Sequence, residues 1–237
     1  METRHQSGFT LWELLVTMLV AGILIGLGVP SLQDAQRNSA VNAAANDLIT
    51  GLLAARAEAV KRQVPVTLCA SPDPSAQPPV CSQTGAGANG GFIVWVDFDP
   101  THVDANQSPV LTASDGNAVV DAGEVTPQQP ILIRNAPPPT MAPAGTLRIF
   151  AGTAGVSSGY ITYFPNGFPR NAAGAPAFVR LVLYCDDRGN KSGPGGAAFS
   201  TARLVQIDQT GRAIVNSNKN DIAAQLANIP GAVCPLG

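Results

Sequence analysis

Between Phe9 and Val29 the chain runs 21 residues with a single charge, Glu13. As a helix rising 1.5 Å per residue, such a run spans about 30 Å, the thickness of a bilayer's hydrocarbon core. The chain therefore begins with a helix made for apolar surroundings. A carboxylate held there costs on the order of 3 kcal/mol and is normally paired, so Glu13 requires a partner. A secretory signal peptide accounts for Arg4 ahead of the run. It does not account for the length, for Glu13, or for Val29-Pro30-Ser31-Leu32-Gln33, which is a poor cleavage site. A plain membrane anchor explains the length and, with Arg4 holding the start in the cytoplasm, the orientation. It leaves Glu13 unexplained.

Pro30, followed by Ser31, is expected to kink or briefly break the helix where it leaves the membrane. After it Val41, Ala45, Leu48, Leu52, Ala55 and Ala59 recur every three or four residues, the pattern of an amphipathic helix with one apolar stripe. Lys61 and Arg62 suit its C-terminal end and Pro65 forbids continuation. A helix from residue 9 to about 62 would be roughly 80 Å long. Sustained heptads are absent, which excludes a soluble coiled coil.

From residue 63 onward the pattern changes, and most of the 24 glycines and 20 prolines lie here. Short β-type runs occur at 64–70, 91–98, 130–135, 146–150, 160–164, 178–185, 203–209 and 212–216, separated by turn signals such as Pro165-Asn166-Gly167 and Thr210-Gly211. The last two runs read as a hairpin, and a short helix is expected near 221–228. With no helices between the strands, the expected class is α+β: a long N-terminal helix packed on an antiparallel β domain, with two sheets against its amphipathic half.

Cys69, Cys81, Cys185 and Cys234 all follow the membrane-inserting segment, so they are expected on its far side, where disulfides persist. Of the three connectivities, Cys69–Cys81 and Cys185–Cys234 are favoured. The first pair brackets a Pro/Ser/Gln loop and the second would pin the C-terminus. There is no Cys-x-x-Cys, and His5 and His102 are the only histidines, so neither a metal nor a cofactor is expected. The formal net charge of −2 recommends neither nucleic acid nor an anionic membrane surface.

A short polar leader ending in Gly8, then Phe9, with Glu13 fifth from Phe9, resembles the class III signal of type IV pilins and type II secretion pseudopilins, whose pattern is G-F-T-L-x-E. Trp12 stands where that pattern usually has an aliphatic residue. The resemblance implies that residues 1–8 are a leader, that a prepilin peptidase cuts between Gly8 and Phe9, and that Phe9 is N-methylated. It also implies that Glu13 is an assembly residue, pairing in a filament with the N-terminal amine of a neighbouring subunit and so neutralising two charges that apolar surroundings would penalise. A proline such as Pro30 is common in pilins at this point. The stretches ARAEAVKRQVPVTLC, GFIVWVD, YITYFPNG, LYCDDRG and VQIDQTGRAIV narrow the resemblance to the GspH/FimT family of minor pilins and pseudopilins. The implied organisation is a leader (1–8), a transmembrane and amphipathic helix (9–62) and a periplasmic β-rich domain (63–237).

Three other patterns have simpler readings. Gly155-Val156-Ser157-Ser158-Gly159 matches G-x-S-x-G, but a strand follows where the hydrolase motif needs a helix, and His102 is the only histidine left after processing. A glycine/serine turn is the better reading. Asp97, Asp99, Asp104, Asp115, Asn117, Asp121 and Glu124 faintly resemble a calcium loop, yet Val119 and Val120 fill places that want a ligand and a glycine, and Thr126 replaces the terminal glutamate. Arg212 is a candidate DNA contact, because family members linked to DNA uptake carry Gly-Arg-x-Arg here; Ile214 takes the second arginine's place. The insert at 101–143 is long and Pro/Ala-rich and has no assigned role. Taken together, the reading is a non-enzymatic minor pilin that primes or joins a type IV pilus. Its alternatives are a type II secretion pseudopilin and a DNA receptor for transformation. The implied partners are other pilins, the prepilin peptidase and an inner-membrane assembly platform, and DNA is not expected among them.

Overall fold

Helix α1 (Leu11–Arg62) dominates the computed structural model, which describes residues 9–82, 91–135, 148–153, 159–170, 180–193, 196–229 and 234. Thr10 caps its start, the side-chain oxygen accepting from the Glu13 N–H at 3.3 Å. At the other end Gln63 adopts a left-handed conformation and its N–H bonds the Ala59 carbonyl, two residues before Pro65. The apolar stripe anticipated at Val41, Ala45, Leu48, Leu52, Ala55 and Ala59 is buried at every position.

Of the kink or brief break expected at Pro30, the break does not occur. The helix passes through Pro30 without interruption. The proline removes one donor, to the carbonyl of residue 26, while the cooperative ladder continues on both sides.

Among the described residues nine strands follow: β1 (Val66–Ser71), β2 (Gly91–Val96), β3 (Ile133–Asn135), β4 (Arg148–Thr153), β5 (Tyr160–Tyr163), β6 (Pro169–Arg170), β7 (Arg180–Cys185), β8 (Phe199–Ile207) and β9 (Ala213–Asn218). A short helix, α2 (Lys219–Leu226), closes the series. The strands form two antiparallel sheets, ordered β3-β2-β1-β5-β6 and β4-β7-β8-β9. The fold is therefore the expected α+β arrangement. Differences from the sequence reading are local: β6 was not anticipated, β8 begins four residues earlier, and α2 starts at Lys219 because Asn218 caps it by accepting from the N–H groups of Asn220 and Asp221.

Alternation along each strand explains the layers. Val66, Leu68 and Ala70 of β1, Phe92, Val94 and Val96 of β2, Val182 and Tyr184 of β7, and Val205 and Ile207 of β8 meet Leu48, Leu52 and Ala55 of α1 in one core. Gly51 is essential to this contact, since a Cβ there would lie 2.6 Å from Phe92 Cε2. The opposite face of the four-stranded sheet packs Leu181, Leu183 and Leu204 against Ile222 of α2, Ile229 and Cys234. The opposite face of the five-stranded sheet packs Ile93 and Trp95 against Ala118, Val120, Val125 and Ile131. The described part of the long insert is thus a cover for this sheet, and β2 reads as a continuous apolar run because both of its faces are buried.

Candidate assembly site

From Phe9 to Gln36 every residue of the helical projection is exposed. Among the described residues, α1 is the helix long and apolar enough to cross a membrane, and its most apolar window is wholly unburied. Exposed apolar surface of this extent signals a membrane or other apolar helices as its surroundings. Glu13 lies in the first turn, where a negative charge favours the helix dipole. It has no ion-pair partner among the described residues. Gly8 lies outside the described residues, whereas Phe9 stands exposed immediately before the Thr10 cap.

The lower end of the β domain is bound to α1 by charge. Arg37 donates to Asp187 at 3.4 Å, Arg188 to Asp34 at 3.4 Å, and Arg203 to the Asn42 side-chain oxygen at 2.7 Å. The disulfides are Cys69–Cys81, beneath the cover of the five-stranded sheet, and Cys185–Cys234, in the core under α2. This is the pairing favoured from the loop they bracket and the end they pin.

The acidic residues in and just before the insert hold its backbone. Asp97 accepts from Thr67 Oγ1 at 2.6 Å, from the Gly116 N–H at 3.0 Å and from the Ala118 N–H at 2.9 Å. Asp115 accepts from the N–H groups of Asp99 and Thr112, and His102 Nδ1 lies 3.0 Å from its Oδ2. Gln129 donates to the carbonyls of Val96, Phe98 and Glu124. Among the described residues no group of three or more His, Cys, Asp or Glu side chains is arranged to hold a metal. Ser157 lies outside the described residues, and His102 belongs to the Asp115 turn.

Glu124 is the exception to this pattern. It is almost fully buried, and among the described residues no donor reaches its Oε1. Burial, then the neighbouring Asp97 charge, pushes its carboxyl up to about 8. Both effects favour the protonated form of Glu124 at neutral pH. A carboxyl raised on folding stabilises most below its unfolded value of 4.5, and that stabilisation is lost as pH rises through about 8. The full chain in detergent is expected to melt at a lower temperature at pH 8.5 than at pH 5.5. Glu124→Gln keeps the donor and removes the titration, so it should raise the melting temperature at pH 8.5 by about 5 °C and flatten the dependence. An unchanged pH profile in that variant would remove Glu124 as its source.

The basic residues are divided between the two ends of β7. Arg180 is buried, with its guanidinium 5.2 Å from the Tyr160 ring centre, and sits at one end of β7. Arg188, Lys191 and the Arg37–Asp187 pair lie beyond the other end, about 17 Å along the strand. The pairings Arg180↔Ile207 and Ile207↔Ala213 put Arg212 at the Arg180 end. Arg212 is exposed beside Gly211, whose φ of +81° and closeness to Tyr163 Cε1 explain the glycine as a turn requirement.

Residues 44–211 match the family described as Type II transport protein GspH, and residues 3–29 match the prokaryotic N-terminal methylation motif. No curated protein matches the chain. Two crystal structures of the type IV minor pilin FimU of Pseudomonas aeruginosa strain PAO1 are similar. The P21 form is 19% identical with a TM-score of 0.41, covering 74% of this chain and 87% of that one. The P65 form is 17% identical with a TM-score of 0.40, covering 74% of this chain and 91% of that one.

Proposed function

The chain belongs to the GspH family, and from that premise we propose that it is a minor pilin that primes or joins a type IV pilus. Proteins of the pilin family are structural rather than enzymatic, and assembly with other pilins follows from membership. In this reading the precursor is held in the inner membrane by residues 9–29, with its N-terminus in the cytoplasm and its β domain in the periplasm. A prepilin peptidase removes residues 1–8 and N-methylates Phe9. The assembly platform then lifts the helix out of the bilayer, and Glu13 pairs with the amine of a neighbouring subunit.

The observation that carries this reading is the exposed Phe9–Val29 stretch, which holds a single charge, Glu13, with no ion-pair partner among the described residues. An anchor has no use for that carboxylate, whereas a filament of stacked helices supplies its counter-charge. The bulky, insert-bearing domain suits a scarce position in the filament better than a repeated one. A second reading, a pseudopilin of the type II secretion machine, draws on the name of the matching family.

Cells lacking the gene are expected to shed little or no pilus on shearing, with recovery when the wild-type chain is restored. Normal shedding together with secreted proteins retained inside the cell would overturn the pilus assignment in favour of the secretion machine.

A further inference from the structure

A polar pocket of about 520 Å³ opens where α1 enters the β domain. Ser31, Asp34 and Asn38 line it from one face of the helix, and Arg188, Lys191 and Thr201 line it from β8 and the loop before it. Asn38 is only 8% exposed, yet among the described residues neither its Oδ1 nor its Nδ2 has a hydrogen-bond partner. A buried amide left unpaired on both atoms costs stability, and a polar occupant would recover that loss.

The charges of the pocket are mixed. The Arg188 guanidinium is held by Asp186 at 2.7 Å and reaches Asp34 at 3.4 Å, while the Asp34 side chain stays 62% exposed. Lys191 is exposed and has no ion-pair partner among the described residues. A cation and an anion thus stand on opposite walls, each with capacity to spare.

Position along the helix narrows the occupant. The apolar run ends at Val29, so Ser31 and Asp34 stand about 3 and 8 Å beyond it, and Asn38 about 13 Å. The headgroup layer of a bilayer is about 5 to 8 Å deep on each side. While the helix is in the membrane, the mouth of the pocket lies at that level.

We propose that the pocket seats the headgroup of a zwitterionic phosphoethanolamine lipid, with its phosphate toward Lys191 and Arg188 and its ammonium toward Asp34 and the Asn38 oxygen. The proposal rests on the membrane-anchored state described above. Seating one headgroup fixes the height and rotation of the β domain over the bilayer before assembly. Extraction into a filament removes that ligand.

The test uses the full chain in detergent, titrated with phosphatidylethanolamine, phosphatidylcholine or phosphatidylglycerol and read by native mass spectrometry. One phosphatidylethanolamine should be retained per chain, with about tenfold weaker binding after Lys191→Ala or Asp34→Asn. Both side chains are exposed, so the variants should fold. Soluble glycerophosphoethanolamine at millimolar concentration should displace the lipid. Equal retention of all three lipids, insensitivity to both substitutions, or failure of the soluble headgroup to compete would each overturn the proposal, because lipid would then coat the apolar helix alone. Resistance of the chain to alkaline carbonate extraction is scored in parallel. Its loss would strike the membrane reading itself, whatever the lipid result.

Discussion

Glu13→Ala is expected to leave the chain in the membrane fraction and to remove it from sheared filaments. Deleting the carboxylate relieves insertion of a cost on the order of 3 kcal/mol, so membrane levels should hold or rise. If Glu13 pairs as proposed, the same deletion strands the amine of a neighbouring Phe9 in apolar surroundings. Removing one partner of a buried ion pair costs about 3 to 5 kcal/mol, which reduces incorporation more than about 100-fold. Immunoblots of membrane and sheared fractions measure both quantities in one culture. Glu13→Asp keeps the charge on a shorter arm and should fall between the two. Incorporation of Glu13→Ala at the parental level would remove charge pairing as the assembly device, while leaving the anchor intact.

The second large effect concerns the C-terminal bond. Cys185–Cys234 closes 49 residues and Cys69–Cys81 closes 12. In the chain-entropy account these contribute about 4 and about 3 kcal/mol respectively. The longer bond also fastens the stretch after α2 to the end of β7, where Cys234 packs with Leu183, Ile222 and Ile229. Cys185→Ala combined with Cys234→Ser should lower the melting temperature of the detergent-solubilised chain by about 10 °C. The corresponding change at Cys69 and Cys81 should lower it less. A shift under about 2 °C for the longer bond would mean that packing under α2 holds the terminus without the bond.

Much of this architecture is legible in the residues because it obeys a local period. The 3.6-residue stripe from Val41 to Ala59 marks the buried face of α1, and the short apolar runs mark the strands. What escapes is set by residues far apart in sequence. Asp97 raises the Glu124 carboxyl from 27 positions away, across a Pro/Ala-rich stretch with no period of its own. Asn38 sits on a helical face that looks solvated until the loop carrying Arg188 and Lys191 arrives some 150 residues later. The two-residue β6 exists only through its pairing with β5. Pro30 misleads for the opposite reason. The local rule for a proline is strong, and the cooperativity of a 52-residue helix outweighs it.

That unbroken passage through Pro30 also decides how the molecule bears load. A subunit pulled through its apolar half transmits tension along one helix into the core formed by Leu48, Leu52 and Gly51. The turn ending at Pro30 carries one bond fewer than its neighbours, and Gly22, Gly26 and Gly28 have no side chains to brace it. Under load this turn is expected to open first. Each residue passing from helix to extended chain lengthens the subunit by about 2 Å, so α1 has a compliant link between an anchored end and a rigid head.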